Sequence, residues 1–94
     1  YRAIHIVQPD VIWVGGFTEA KKVAALAEAA SMPCYPHSFS TGLCLAANLQ
    51  LMASLSTGLL EMDRNPNPLR DDLIQGGISI DSDGLVTMSG CRGR

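Results

Sequence analysis

The apolar positions of this chain change period several times, and each change marks an element. Residues 3 to 7, Ala-Ile-His-Ile-Val, form a short β-branched run. The strand signal continues past Pro9 through Val11-Ile12-Trp13-Val14, as one strand or two abutting pieces, until Gly15 and Gly16 end it. Ala20, Val23, Ala24, Ala27 and Ala30 then recur at helical spacing while Lys21, Lys22 and Glu28 take the other faces. A helix is predicted there, with Thr18 as its N-cap and Glu19 in the first turn, where the helix dipole favours an acid. After Ser31 the run Met-Pro-Cys-Tyr-Pro predicts a second strand that delivers His37. Ser38 to Gly42 form a loop rich in hydroxyls, and Thr41 is placed to cap a second helix from about Gly42 to Leu55. Leu45, Leu49, Met52 and Leu55 make one apolar stripe, widened by Leu43, Ala46, Ala47 and Leu51. Such breadth predicts burial on most sides.

A turn follows, then a short strand ending in Glu61 and Asp63. From Arg64 the composition changes. The stretch NPNPLRDD is turn and linker chemistry, because each proline biases the residue before it away from helix. Ile78-Ser79-Ile80 and Leu85 to Met88 flank Asp-Ser-Asp-Gly, which predicts a β-hairpin. Asp81, Ser82, Asp83 and Gly84 also resemble the start of a calcium loop, but the remaining ligands and the closing Glu are missing, so a turn is expected.

Ninety-four residues make one small domain at most, and 47% hydrophobic against 17% charged residues is a large apolar share to cover in so short a chain. Some of that surface should meet partners. A net charge of −2, no basic run and few aromatics give no sign of nucleic acid or of an anionic membrane surface. The apolar helical stretches are short and interrupted, against a spanning helix. Cys34, Cys44 and Cys91 are odd in number and contain no Cys-x-x-Cys pair, which argues against a disulfide framework and for a reducing cytoplasm. No signal peptide is visible, although the first residue is not Met. Cys34 and His37 have a spacing that could serve a metal, without two more ligands nearby. His5 reads as a packed or solvated strand residue, and Gly15-Gly16 as a plain turn rather than an anion cradle.

Candidate chemistry gathers between Gln8 and Ser38. Asp10 falls where the first apolar strand begins to give way to a loop, and His37 ends the next one. If the two strands are parallel neighbours joined by the intervening helix, both side chains emerge at the same carboxyl-end rim. A carboxylate beside one imidazole nitrogen fixes the tautomer and leaves the other nitrogen free to take a proton. The plainer reading stays open: Asp10 ends a strand after Pro9, and His37 sits on a loop with Pro36.

The pattern PDVIWVGGFTEAKKVAALAEAASMPCYPHS resembles the sixth and seventh barrel strands of the enolase superfamily, in its mandelate racemase and muconate lactonizing enzyme branch. The Pro-Asp pair, Gly15-Gly16 followed by Phe17 and Thr18, the Ala-rich helix and the Pro-His ending carry the likeness in order and spacing. The histidine sides with the mandelate-racemase-like members. The resemblance implies an α/β fold, the C-terminal part of a TIM-type (β/α)7β barrel amounting to about two and a half βα units, followed by a C-terminal hairpin segment. On this reading residues 1–63 hold the sixth to eighth strands, and residues 64–94 are linker and hairpin returning toward a capping domain. Trp13 would cover the barrel's edge or pack under the helix. A complete barrel needs about 250 residues, so the chain is expected to be a piece of a longer protein.

The resemblance also implies a chemistry: abstraction of the proton next to a small-molecule carboxylate, with His37 as base or return acid, Asp10 orienting it, and Glu61 holding the substrate carboxylate. Mg²⁺, the family's cofactor, is expected on missing upstream strands. Racemisation, sugar-acid dehydration and cycloisomerisation all remain open. The rival expectation is an inactive truncated half-barrel that self-associates, as a homo-oligomer, or complements a missing N-terminal part. One departure stands out, since relatives commonly end the hairpin with Pro-Gly-Leu-Gly where this chain has Ser89, Gly90, Cys91, Arg92 and Gly93.

Overall fold

Short extended segments lying side by side and running the same way form the spine of the molecule. The computed structural model describes residues 3–56, 58–73 and 78–88. Val7 bridges Cys34 in parallel. Strand β1 (His37–Ser38) pairs in parallel with β2 (Glu61–Met62), His37 opposite Glu61 and Ser38 opposite Met62. Backbone bonds extend both pairings. The Tyr35 N–H donates to the Val7 carbonyl and the His37 N–H to that of Pro9, each at 2.9 Å. On the other side, the Glu61 N–H donates to Pro36 at 2.9 Å and the Asp63 N–H to Ser38 at 3.0 Å. The segment from Cys34 to Ser38 is therefore the middle one, and Pro9, Pro33 and Pro36 still accept through their carbonyls.

Helix α1 (Phe17–Ala29) and helix α2 (Gly42–Ala53) make the crossovers that parallel neighbours require. α1 buries Ala20, Ala24 and Ala27. Its N-cap is Gly16, with φ 108° and no side-chain cap, so Thr18 lies inside the first turn and does not cap as expected. The reason is the backbone: the chain arrives at Phe17 through two residues of positive φ, Gly15 and Gly16, a path that a β-carbon disfavours.

The strand expected over residues 11–14 is instead a coil of turn. The Trp13 and Val14 N–H groups both donate to the Asp10 carbonyl at 3.0 Å, and the Gly16 N–H donates to Val11 at 2.8 Å. The Asp10 carboxylate accepts from the Ile12 N–H at 3.0 Å and starts that turn, overriding the β preference of the run. Val11 is buried, whereas Trp13 is 82% exposed and does not pack under α1.

α2 begins where the sequence places it, with the Thr41 hydroxyl accepting from the Cys44 N–H at 3.4 Å. Its buried face is Cys44, Leu45, Asn48 and Leu51 rather than the stripe through Leu49 and Met52, and Leu43 is exposed. Leu51 joins Val11 and Ala20 in one apolar cluster. Ala24, Ala27 and Cys34 form a second, and Leu55 packs against both.

The stretch read as linker contains a single helical turn, α3 (Pro68–Asp71). Asn67 caps it and Pro68 occupies the position where a missing N–H costs nothing. The Asn67 amide also donates to the Ser40 carbonyl at 2.8 Å, and Arg70 donates to the Asp63 carbonyl at 2.7 Å. Both bonds fasten α3 to the rim of the parallel segments. Strands β3 (Ile78–Ile80) and β4 (Val86–Met88) pair antiparallel, Ser79 opposite Thr87. The Asp81 carboxylate accepts from the N–H groups of Asp83 and Leu85, each at 2.9 Å, so it serves the turn. Cys91 and the unusual ending Ser89 to Gly93 lie outside the described residues. Among the described residues no helix is long and apolar enough to cross a membrane.

Candidate active site

Parallel pairing sets the spacing of the site. Because His37 stands opposite Glu61 in register, and the His37 N–H is bonded to Pro9 just before Asp10, three titratable side chains meet at one rim. The His37 ring lies between two carboxylates: Nδ1 is 4.0 Å from Asp10 Oδ2, and Nε2 is 4.0 Å from Glu61 Oε1. Both separations are at the limit of an ion pair and longer than a hydrogen bond. Rotation of an imidazole and a carboxylate closes such gaps when a substrate orders the site.

The two acids differ in surroundings. Asp10 is 6% exposed, and the Glu61 side chain 57%. Asp10 Oδ1 accepts from the Ile12 N–H at 3.0 Å and lies 3.4 Å from the Asn48 amide nitrogen and 3.5 Å from Cys44 Sγ. The Ile12 and Asn48 N–H donors gather on Oδ1, and Oδ2, which Cys44 Sγ also reaches at 3.8 Å, is turned toward the ring. Glu61 Oε2 accepts from the Gln8 amide. Phe39 stacks with the imidazole, centroids 6.4 Å apart at 18°. The site thus has a dry acid behind the histidine and a wet one in front.

Cys44 sits under Asp10 as a neutral thiol. Burial pushes its pKa up, with the charge of Asp10 adding in the same direction, while hydrogen bonds from Ser38 and Asn48 act against them. Burial likewise raises the Cys34 thiol. A protonated Cys44 is a weak donor and not a nucleophile.

The three side chains singled out in the sequence come together: Asp10, His37 and Glu61. Four supporting residues were not foreseen: Gln8, Ser38, Cys44 and Asn48. Gln8 had a signal, for residues 8 and 10 fall on one side of an extended chain. Asn48 had one too, as an amide spaced three and four residues from Leu51 and Cys44 on an apolar helix face.

Magnesium does not fit the residues present. Among the described residues no three His, Cys, Asp or Glu side chains cluster as a metal site, and Cys34 and His37 gather no further ligands. The donors converging on Asp10 already satisfy one of its oxygens.

Residues 1–93 match the enolase C-terminal domain-like family. The chain belongs to that family. It is 39% identical over 85 residues to the arabinonate dehydratase of Saccharolobus solfataricus, covering 90% of this chain and 23% of that protein. It is 34% identical over 95 residues to the D-galactarolactone cycloisomerase of Agrobacterium fabrum, covering 92% of this chain and 25% of the relative. The crystal structure of the 3,6-anhydro-D-galactonate cycloisomerase from Zobellia galactanivorans superposes with a TM-score of 0.74 at 36% identity, over 83% of this chain and 22% of that one. The chain therefore spans about a quarter of these enolase-superfamily enzymes.

Proposed function

We propose that this chain supplies the base-bearing side of an enolase-superfamily active site that removes the α-proton of a sugar-acid carboxylate, ahead of dehydration or cycloisomerisation. One observation carries the reading: the His37 imidazole lies between a buried and an exposed carboxylate. Asp10 behind Nδ1 favours the tautomer with its proton on that nitrogen and stabilises the imidazolium formed once Nε2 takes the substrate proton. Glu61, in front and exposed, is placed to hydrogen-bond the substrate carboxylate when protonated. Gln8 holds one of its oxygens. Phe39 limits the ring's tilt by stacking. The names of the relatives support the substrate class, since a dehydratase and two cycloisomerases of sugar-acid derivatives share this stretch of chain. Mg²⁺, which the family uses to stabilise the charge that develops on the carboxylate, would be held by residues outside this chain. The extended segments of residues 7–9, 34–38 and 61–63 would be the sixth, seventh and eighth strands of the barrel.

Solvent exchange tests the reading. With arabinonate as probe in D₂O, the complete enzyme should incorporate deuterium next to the carboxylate. His37→Asn should slow that exchange by about 10² to 10⁴-fold, the usual worth of a positioned base. A loss below about tenfold would remove His37 from the role. No exchange by the unsubstituted enzyme would overturn the substrate class.

A second reading has its own observation. Ile4, Ile12, Trp13, Phe17 and Leu43 are each about half or more exposed, an apolar surface that asks for cover. The chain on its own would then be an inactive half-barrel that pairs with itself or with an N-terminal part. Sedimentation of the isolated chain as a cooperatively folding monomer would eliminate this alternative.

A further inference from the structure

We infer that Asn48 is a positioning residue of the site, acting through Asp10. The inference rests on the reading of Asp10 and His37 as a working pair and deepens it. Asn48 is wholly buried on an otherwise apolar helix face, with every polar atom of its side chain engaged. Its Oδ1 accepts from the Val11 N–H at 3.2 Å. Its Nδ2 donates to the Cys44 carbonyl at 3.1 Å and reaches Asp10 Oδ1 at 3.4 Å. The reversed amide would set its oxygen against a carbonyl and a carboxylate, so only one orientation is tenable.

That orientation has a consequence for the carboxylate. The Ile12 N–H and the Asn48 amide both address Oδ1. Among the described residues Oδ2, facing His37 Nδ1, has only the weak thiol of Cys44 at 3.8 Å besides the ring. A carboxylate held by one oxygen cannot swing, and the other oxygen is kept for the imidazole. The same amide clamps the backbone one residue beyond Asp10 through Val11. Asn48 therefore ties helix α2 to both the side chain and the main chain that aim the acid.

A merely structural Asn48 would cost stability wherever it was removed. A positioning residue predicts something narrower, namely coupling to Asp10. The experiment is a double-mutant cycle in the complete enzyme, with arabinonate exchange in D₂O as readout. Asn48→Leu should lower kcat by roughly 10- to 100-fold with little change in KM, the scale of a misaimed reacting group. In an Asp10→Asn background the same substitution should cost nothing further. Leu51→Ala, a neighbour on the same helix face, should multiply with Asp10→Asn instead. If the losses from Asn48→Leu and Asp10→Asn multiply, the inference is overturned and the pair stands. If Asp10→Asn alone leaves exchange intact, the pair itself fails and this inference with it. Where Asn48→Leu does not fold, Asn48→Asp, of the same size and still able to accept from Val11, is read by the same cycle. A loss that persists behind Asp10→Asn counts against the inference there too.

Discussion

Helix α1 turns only alanines into the core, Ala20, Ala24 and Ala27, whereas α2 turns in Cys44, Leu45, Asn48 and Leu51. Each helix connects one parallel segment to the next, so topology asks the same of both. Their entries differ as well: α1 starts on a bare glycine of positive φ, and α2 on a threonine that accepts a hydrogen bond. Small side chains let α1 lie close while holding nothing in particular. α2 fills volume with leucines and at the same place contacts the carboxylate behind His37. A crossover helix that carries polar residues on its buried face is thus part of the site, and one that carries alanines is spacing.

Truncation should separate the two helices most widely. Leu51→Ala, at a side chain 1% exposed, is expected to destabilise the protein by about 2 to 5 kcal/mol in urea unfolding. Ala24→Gly in α1 removes one methyl and should cost only about 1 kcal/mol. Equal losses would erase the contrast. Enlargement should narrow the gap, for Ala20 has no free surface, and Ala20→Leu should cost about 1 to 3 kcal/mol through overpacking.

Capping gives a finer contrast. Thr41→Ala should cost about 1 kcal/mol, since the hydroxyl accepts from the Cys44 N–H. Thr18→Ala should stay within about 0.5 kcal/mol, because Thr18 caps nothing. A Thr18 effect as large as that of Thr41 would mean that α1 starts elsewhere.

The smallest effect concerns pH. Burial raises the thiols of Cys34 and Cys44 above the ordinary value of 9.0. Folded chains then keep protons that unfolded chains lose, so stability is full below pH 9 and falls as pH climbs from there toward the raised values. Melting temperatures of the protein and of its Cys34→Ala, Cys44→Ala double variant should converge as pH rises above 9. Parallel curves would show that burial leaves these thiols at their ordinary value.

Periodicity made both long helices legible, because alanines or leucines at helical spacing have no good alternative in a strand. Thr41 was legible for a local reason: a hydroxyl just before an apolar helical run. Thr18 had the same credentials and lost them to the two glycines before it, whose dihedrals decide where α1 can begin. Residues 11–14 misled because a β-branched run carries no mark of the acid that coils it. Asp10 does so with a carboxylate bond to Ile12 and a carbonyl shared by Trp13 and Val14. The meeting of Asp10 and His37 was legible through the order of strand ends, and Glu61 joined them only through the family resemblance. The amides of Gln8 and Asn48 were not, since what they touch depends on register and on which face of α2 turns inward.

Register has a further consequence at β1 and β2. His37 and Glu61 face each other through backbone bonds from Glu61 to Pro36 and from Asp63 to Ser38, not through the loop that joins α2 to β2. Site geometry is thereby set by the ladder, and the loop contributes to the core instead, through Leu55, which packs against both apolar clusters. A slip of one residue within the ladder is another matter. It would turn Glu61 to the opposite face and bring Leu60 or Met62 to His37. For anyone grafting this rim onto another scaffold, the seam to copy is the pairing.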